Sequence, residues 1–244
     1  MTTPFVFPAM GTMVSVVSGA PLTHDTRDAL RDAFELLEAR FSLHRRGTEA
    51  ALVASRTLPV RHASPEYRSV YDLAIEWRSV TGGSFTPHRP DGTVDLSGIV
   101  KGLGIERAGS ALAAAGHTDW LVNAGGDVLT AGTRADGRPW VVGIVSPDDR
   151  STLVSQVATG PGRQGVATSG FSERGDHVWR LGADDTFAQV TVAAEDIVTA
   201  DVVATAILAG GPDTLRLVES RFDVDVLAFT AGETVWASRR FRAA

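Results

Sequence analysis

Cysteine is absent from this 244-residue chain, and lysine occurs once, at Lys101. The lack of cysteine excludes disulfides, thiolate metal sites and a cysteine nucleophile. The formal net charge is −6, and no basic run interrupts the sequence. A nucleic-acid or anionic-membrane surface is therefore not expected. No stretch reaches the roughly 18–20 apolar residues that a membrane span requires. The start, MTTPFVFPAMGTMVSVV, has no basic region ahead of a long apolar run and no lipobox-type cysteine. It reads as a cytoplasmic start.

What is present is a 43% hydrophobic composition, enough for a sizeable core. A single domain over 1–244 is expected, with no linker, low-complexity tract or strong repeat. Phe5 to Val17 reads as a strand. Thr23 to Phe41 places Leu30, Phe34, Leu37 and Phe41 at helical spacing, with Asp25 or Thr26 as caps. Ser64 to Thr81 is a second amphipathic helix, and Gly98 to Ala115 a third. Strands are expected at Asp119–Val128, Trp140–Val145, Val154–Ala158, Gly165–Ser169, Val178–Leu181, Gln189–Val192, Val224–Thr230 and Val235–Ser238. Helices are expected at Ala200–Leu208 and Pro212–Arg221. Helices and strands mix without a regular βαβ repeat, which favours α+β.

Five segments hold more small and polar residues than packing needs. Met10-Gly11-Thr12 puts a glycine in a strand, either as an irregular edge or for close approach of another group. DLSGIVKG, Asp95 to Gly102, joins an acid, a Gly98 turn, a helix start and Lys101. Helix N-termini favour anions, so this suits a nucleotide phosphate or ribose. The P-loop spacing is missing. The lone lysine is either an accident of arginine-rich codon usage or a place that needs a compact ammonium. NAGGDV, Asn123 to Val128, is a plain turn or a Gly125-Gly126 platform for a flat ring or phosphate, with Asp127 as an acceptor. ATSGFSERGDHVW offers the Thr168 and Ser169 hydroxyls and places His177 before a short apolar strand; a lone histidine can be structural or catalytic. TADVVAT sets Asp201 and Thr205 at i and i+4, on one helix face. That pair is a helix-terminal acid and a buried threonine, or a hard oxygen pair suited to Mg²⁺.

In this order, the segments MGT (Met10–Thr12), DLSGIVKG, NAGGD (Asn123–Asp127), TSG (Thr168–Gly170) and TADVVAT (Thr199–Thr205) resemble the ApbE family, the FAD:protein FMN transferases. RFS at Arg40–Ser42, GGSF at Gly82–Phe85 and WVVGI at Trp140–Ile144 match more weakly. The resemblance implies a two-part α+β fold with a flavin cleft between the parts. It implies FAD as substrate, Mg²⁺ as cofactor, and an acceptor protein whose Thr or Ser hydroxyl receives FMN while AMP leaves. Some members instead hydrolyse FAD to FMN and AMP, and a third reading is an FAD-binding protein without turnover. Carried over by position, Met10, Asp95, Lys101, Gly125, Gly126, Thr168 and Ser169 would contact FAD. Asp201 and Thr205 would bind Mg²⁺ with the Gly98 carbonyl, and His177 and Asp201 would serve catalysis. Two departures stand out. Phe85-Thr86-Pro87-His88 lacks the acid of the family's usual segment, and Trp179-Arg180-Leu181-Gly182 replaces the usual loop after the histidine. His44 to Ala51 is a poor match to the family's serine-containing loop, and its Arg45 and Arg46 are open to phosphate or to solvent.

Overall fold

The computed structural model describes residues 3–170, 187–230, 235–238 and 241. Its frame is an eight-stranded sheet in the order β1 (Phe5–Ala9), β2 (Thr12–Ser18), β3 (Trp120–Ala124), β4 (Asp127–Ala131), β7 (Gly165–Gly170), β8 (Phe187–Ala194), β9 (Asp225–Thr230), β10 (Val235–Ala237). Every adjacent pair is antiparallel. A separate hairpin, β5 (Val141–Val145) with β6 (Leu153–Ala158), completes the strands. The fold is α+β, as expected from the missing βαβ repeat.

Alternation along the strands explains how both sheet faces are covered. Val14, Val16, Val122, Val190, Val192 and Val226 point into the main core, against helices α1 (His24–Phe41), α4 (Ser97–Ala114) and α5 (Ile197–Arg221). Val128, Val166, Ala193 and Leu227 point the other way and meet Val142, Ile144 and Val157 of the hairpin. A further cluster contains no strand residue. It joins Leu37 and Phe41 of α1 to α2 (Glu49–Ala54), α3 (Pro65–Val80), the N-terminal part of α4 and the Val198, Val202 and Ala206 face of α5. Helices α1, α4 and α5 thus belong to both clusters and join the two parts.

Helix α4 lies this deep because it lacks side chains where its neighbours press. A Cβ at Gly104 would stand 2.8 Å from the Phe34 ring. One at Gly102 would stand 3.2 Å from Val198 Cα and 3.6 Å from Asp201 Oδ2. A contact under 3.0 Å forces a neighbour to move, so α4 meets α1 at Gly104 only as glycine allows, while the tight 3.2 Å approach at Gly102 leaves α5 little room to give.

Several local expectations change. Phe5 to Val17 is two strands, not one: Met10 and Gly11 have φ of 48° and 73°, and Ala9 pairs with Thr12 across a two-residue turn. Positive φ at both positions suits the twist of a tight hairpin. Thr23, not Asp25 or Thr26, caps α1, its hydroxyl accepting from the Thr26 N–H. Helix α2 was not anticipated; Thr48 caps it, and it is only six residues long. The expected helices at 200–208 and 212–221 are one element broken at Gly211 (φ 66°), where Pro212 starts the second run. Strand β8 is longer than the Gln189–Val192 expectation. Val178–Leu181 lies outside the described residues. Among the described residues, no helix is long and apolar enough to cross a membrane.

Candidate functional site

A cleft of about 580 Å³ opens where the two parts meet. Its walls are the β1–β2 turn at Met10-Gly11, the end of α1 with the loop 42–45, the segment at Arg89 and Asp95, and the first turns of α4, with Thr205 of α5 also facing it. The volume is within the usual range for small-molecule sites. Met10 sits at the seam, its side chain packed on both hydrophobic clusters. Its left-handed backbone costs a non-glycine residue roughly 1 kcal/mol or more. The Glu38 carboxylate helps hold that conformation by accepting from the Met10 N–H at 3.0 Å.

Three cations face the cleft, and each is held by carboxylate. Arg89 donates to Asp95 Oδ2 from Nε at 3.0 Å and from Nη2 at 2.7 Å. Lys101 pairs with Asp127, whose side chain is fully buried. Arg45 pairs with Glu35 and Glu38. Lys101, the fifth residue of α4, stands just past the first turn where the sequence placed it. Its geometry explains the compact ammonium: Asp127 lies at the start of β4, and its other oxygen accepts from the Thr168 N–H of β7 at 3.0 Å. Lys101 thereby ties α4 to two strands. A single ammonium matches this partner because one Asp127 oxygen already accepts from Thr168, leaving the other for Lys101 rather than a pair for arginine's two-point fork.

Asp95 does two things at once. Besides Arg89, it accepts from the Ser97 N–H at 2.9 Å and so secures the entry to α4. Burial raises its carboxyl pKa, but hydrogen bonds from Ser97 and Arg89 outweigh this and hold it below the ordinary value. A depressed folded-state pKa contributes stability above the unfolded value near 3.9 and loses it as pH falls through the folded one. Asp95→Asn should therefore destabilise the protein at pH 6, with the gap to wild type closing below about pH 4 in denaturant titrations. A gap independent of pH would refute the assignment. The segment that departs from the family pattern is folded inward here: His88 Nε2 lies 3.2 Å from the Tyr71 hydroxyl, and burial pushes the imidazole pKa down.

Oxygen groups gather on α5 beside the cleft, where Thr205 faces it. Asp201 is fully buried on the second turn of α5, against Gly102. One turn on, Thr205 Oγ1 lies 3.1 Å from Ser169 Oγ of β7. Gly98 faces the same cleft from α4, packed on the Phe85 ring. No group of three or more His, Cys, Asp or Glu capable of holding a metal occurs among the described residues. The available donors are a carboxylate, a hydroxyl and a backbone carbonyl. That sparse, all-oxygen set fits Mg²⁺, which keeps waters and shares substrate phosphates, and does not fit zinc.

The structure brings together Met10, Asp95, Gly98, Lys101 and Thr205 on the cleft wall; Asp201, one turn before Thr205 on α5, is buried and does not line it. Gly125 and Gly126 turn between β3 and β4 beside Thr12 and do not face the cleft. Thr168 bonds to Thr191 at 2.9 Å, so it and Ser169 back the wall rather than form it. His177 lies outside the described residues. Arg89 and Glu38 were missed by the sequence reading. Arg89 directly follows the departing Thr86-Pro87-His88 segment, where attention fell on the missing acid, and Glu38 occupies an ordinary polar position of an amphipathic helix.

The ApbE family model matches residues 86–228. The chain belongs to the ApbE family. Relatives named FAD:protein FMN transferase include that of Vibrio cholerae serotype O1, 28% identical over 165 residues, and that of Escherichia coli K12, 29% identical over 168. Each alignment covers 63% of this chain, but 49% and 48% of the relative. The chain thus spans about half the length of the curated relatives it matches. Among solved structures, the flavin transferase ApbE from Vibrio cholerae superposes with TM-score 0.80 at 22% identity, covering 99% of this chain and 98% of that one. The apo flavinyl transferase ApbE of Pseudomonas stutzeri gives 0.80 at 20% identity, covering 99% and 95%. At that identity the likeness establishes the ApbE fold, Met10 hairpin to final strands.

Proposed function

We propose that this chain, acting as one unit over 1–244, transfers FMN from FAD to a Thr or Ser hydroxyl of an acceptor protein and releases AMP. The observation that carries the reading is the oxygen pair of α5 in an ApbE-family chain, Thr205 facing the cleft and Asp201 buried one turn before it. The names of the relatives support the same reading. In the reaction, the acceptor oxygen forms a bond to the FMN-side phosphorus as the bridging P–O bond to AMP breaks. The hydroxyl proton goes to a base, a role we assign to His177. Such transfer depends on positioning and on neutralising phosphate charge rather than on covalent work by the protein. Bound Mg²⁺ would supply that neutralisation, held by Asp201, Thr205 and the Gly98 carbonyl. The chain's own contribution is geometric. Lys101, locked to Asp127, presents its stem and charge to the cleft, and the Met10-Gly11 turn offers an apolar surface at the seam.

The test incubates purified protein with FAD and Mg²⁺, with and without a protein bearing an acidic residue ahead of an acceptor Thr or Ser. FMN, AMP and modified protein are resolved by chromatography and mass spectrometry. AMP with FMN covalently on the acceptor is the expected outcome. AMP and free FMN without adduct would replace the transferase with an FAD pyrophosphatase. Unchanged FAD in both reactions would leave only a binding protein.

A further inference from the structure

The three cleft cations differ in what binds them. Lys101 is 16% exposed and its partner Asp127 is 0% exposed; Arg89 is 25% exposed and Asp95 is 7%. Pulling either cation toward a ligand would strand a buried carboxylate, a strongly unfavourable change. Arg45 is 42% exposed, and its main partner Glu35 is 58% exposed. Water can take over Glu35 when Arg45 leaves, and exposed pairs are weak to begin with. Arg45 already uses its fork in two-point fashion, with Nη1–Oε1 at 2.5 Å and Nη2–Oε2 at 3.1 Å on Glu35. A phosphate group presents the same pair of oxygens.

The backbone under Arg45 is fixed, so only the side chain needs to move. The Arg45 N–H donates to Ser42 Oγ at 3.2 Å. The Thr48 hydroxyl donates to the Ser42 carbonyl at 2.6 Å and also reaches the Arg45 carbonyl at 3.2 Å. Ser42, Leu43, His44 and Arg45 all face the cleft. We infer that Arg45 is the specificity residue for the diphosphate. In the free protein it rests on Glu35 and Glu38, and an incoming FAD diphosphate takes the place of Glu35 on its fork. The inference rests on the proposed FAD reading and adds to it which side chain recognises the phosphates. Glu38 has a second duty at the Met10 N–H and stays in place.

Flavin fluorescence titrations with FAD and with phosphate-free riboflavin separate the possibilities, comparing wild type, Arg45→Gln and Glu35→Gln. Arg45→Gln should weaken FAD binding about tenfold, the scale of one lost charge-assisted contact, and leave the riboflavin response unchanged. Glu35→Gln should tighten FAD binding about threefold, because the competitor for the guanidinium is gone. The gain should vanish when Glu35→Gln is made in the Arg45→Gln background, which sets it apart from a general loss of negative charge beside the cleft. Equal losses for FAD and riboflavin in Arg45→Gln, or weaker FAD binding in Glu35→Gln, would overturn the inference while leaving the FAD reading of the wild type in place. Failure of the wild type to bind FAD would overturn the functional reading and this inference together.

Discussion

Asp201→Asn should lower Mg²⁺-dependent AMP release from FAD by at least about a hundredfold, the effect expected when a metal's own ligand set is disturbed. The substitution is isosteric and neutral, so it leaves the packing against Gly102 in place. Thermal melts should stay close to wild type, and flavin binding should survive in part. Asp201→Ala should give the same loss of turnover. The mechanism is local. Asp201 is fully buried, one helical turn from a Thr205 hydroxyl that faces the cleft and meets Ser169. It has no surface role to lose. Rates measured across a Mg²⁺ titration decide the matter. Turnover equal to wild type at every Mg²⁺ concentration would remove Asp201 from the metal site.

Lys101→Met should reduce stability by about 3 kcal/mol, because it leaves the Asp127 charge buried without its counter-ion. For a chain of this length that corresponds to a fall of roughly 6–12 °C in Tm. The neutral pair Lys101→Met with Asp127→Asn should regain most of the loss. Asparagine keeps an oxygen for the Thr168 N–H while removing the uncompensated charge. Circular dichroism melts of the single and double variants test this directly. A Lys101→Met variant melting within about 2 °C of wild type would show that the pair is no structural tie. If the double variant regains stability and also full FAD turnover, the ammonium serves the fold alone. If it regains stability but not turnover, Lys101 also acts on the ligand.

The sequence carried the main elements because their signals are local. The spacing of Leu30, Phe34, Leu37 and Phe41 marks α1, and all four are buried. The Ser64-Pro65 start of α3 appears as an N-cap followed by a first-turn proline. The candidate residues came from ordered small-residue segments, and Met10, Asp95, Gly98, Lys101 and Thr205 among them line one cleft. What failed to show was pairing. Asp127 and Lys101 lie in separate segments, and nothing in either announces that one neutralises the other. Arg89 gave no sign of gripping Asp95, since five intervening residues must fold back to bring them together. The two-residue hairpin at Met10-Gly11 was hidden because methionine rarely takes positive φ, and Glu38 helps enforce it from 28 residues away. Helix α2 was missed because six residues carry too little periodicity to be read.

The antiparallel sheet with its far-flung contacts has a consequence for biosynthesis. Thr168 reaches back 41 residues to Asp127, and Ser169 waits 36 residues for Thr205. The cleft therefore draws on the first hairpin, α4, β4, β7 and α5, which the ribosome delivers in that order. No nascent chain that lacks α5 owns both halves of the Ser169–Thr205 contact. Long-range strand pairing of this kind also closes slowly relative to helix formation. On the proposed reading, a flavin nucleotide would meet a complete cleft only after synthesis has passed Thr205, and would stabilise the folded chain rather than template it.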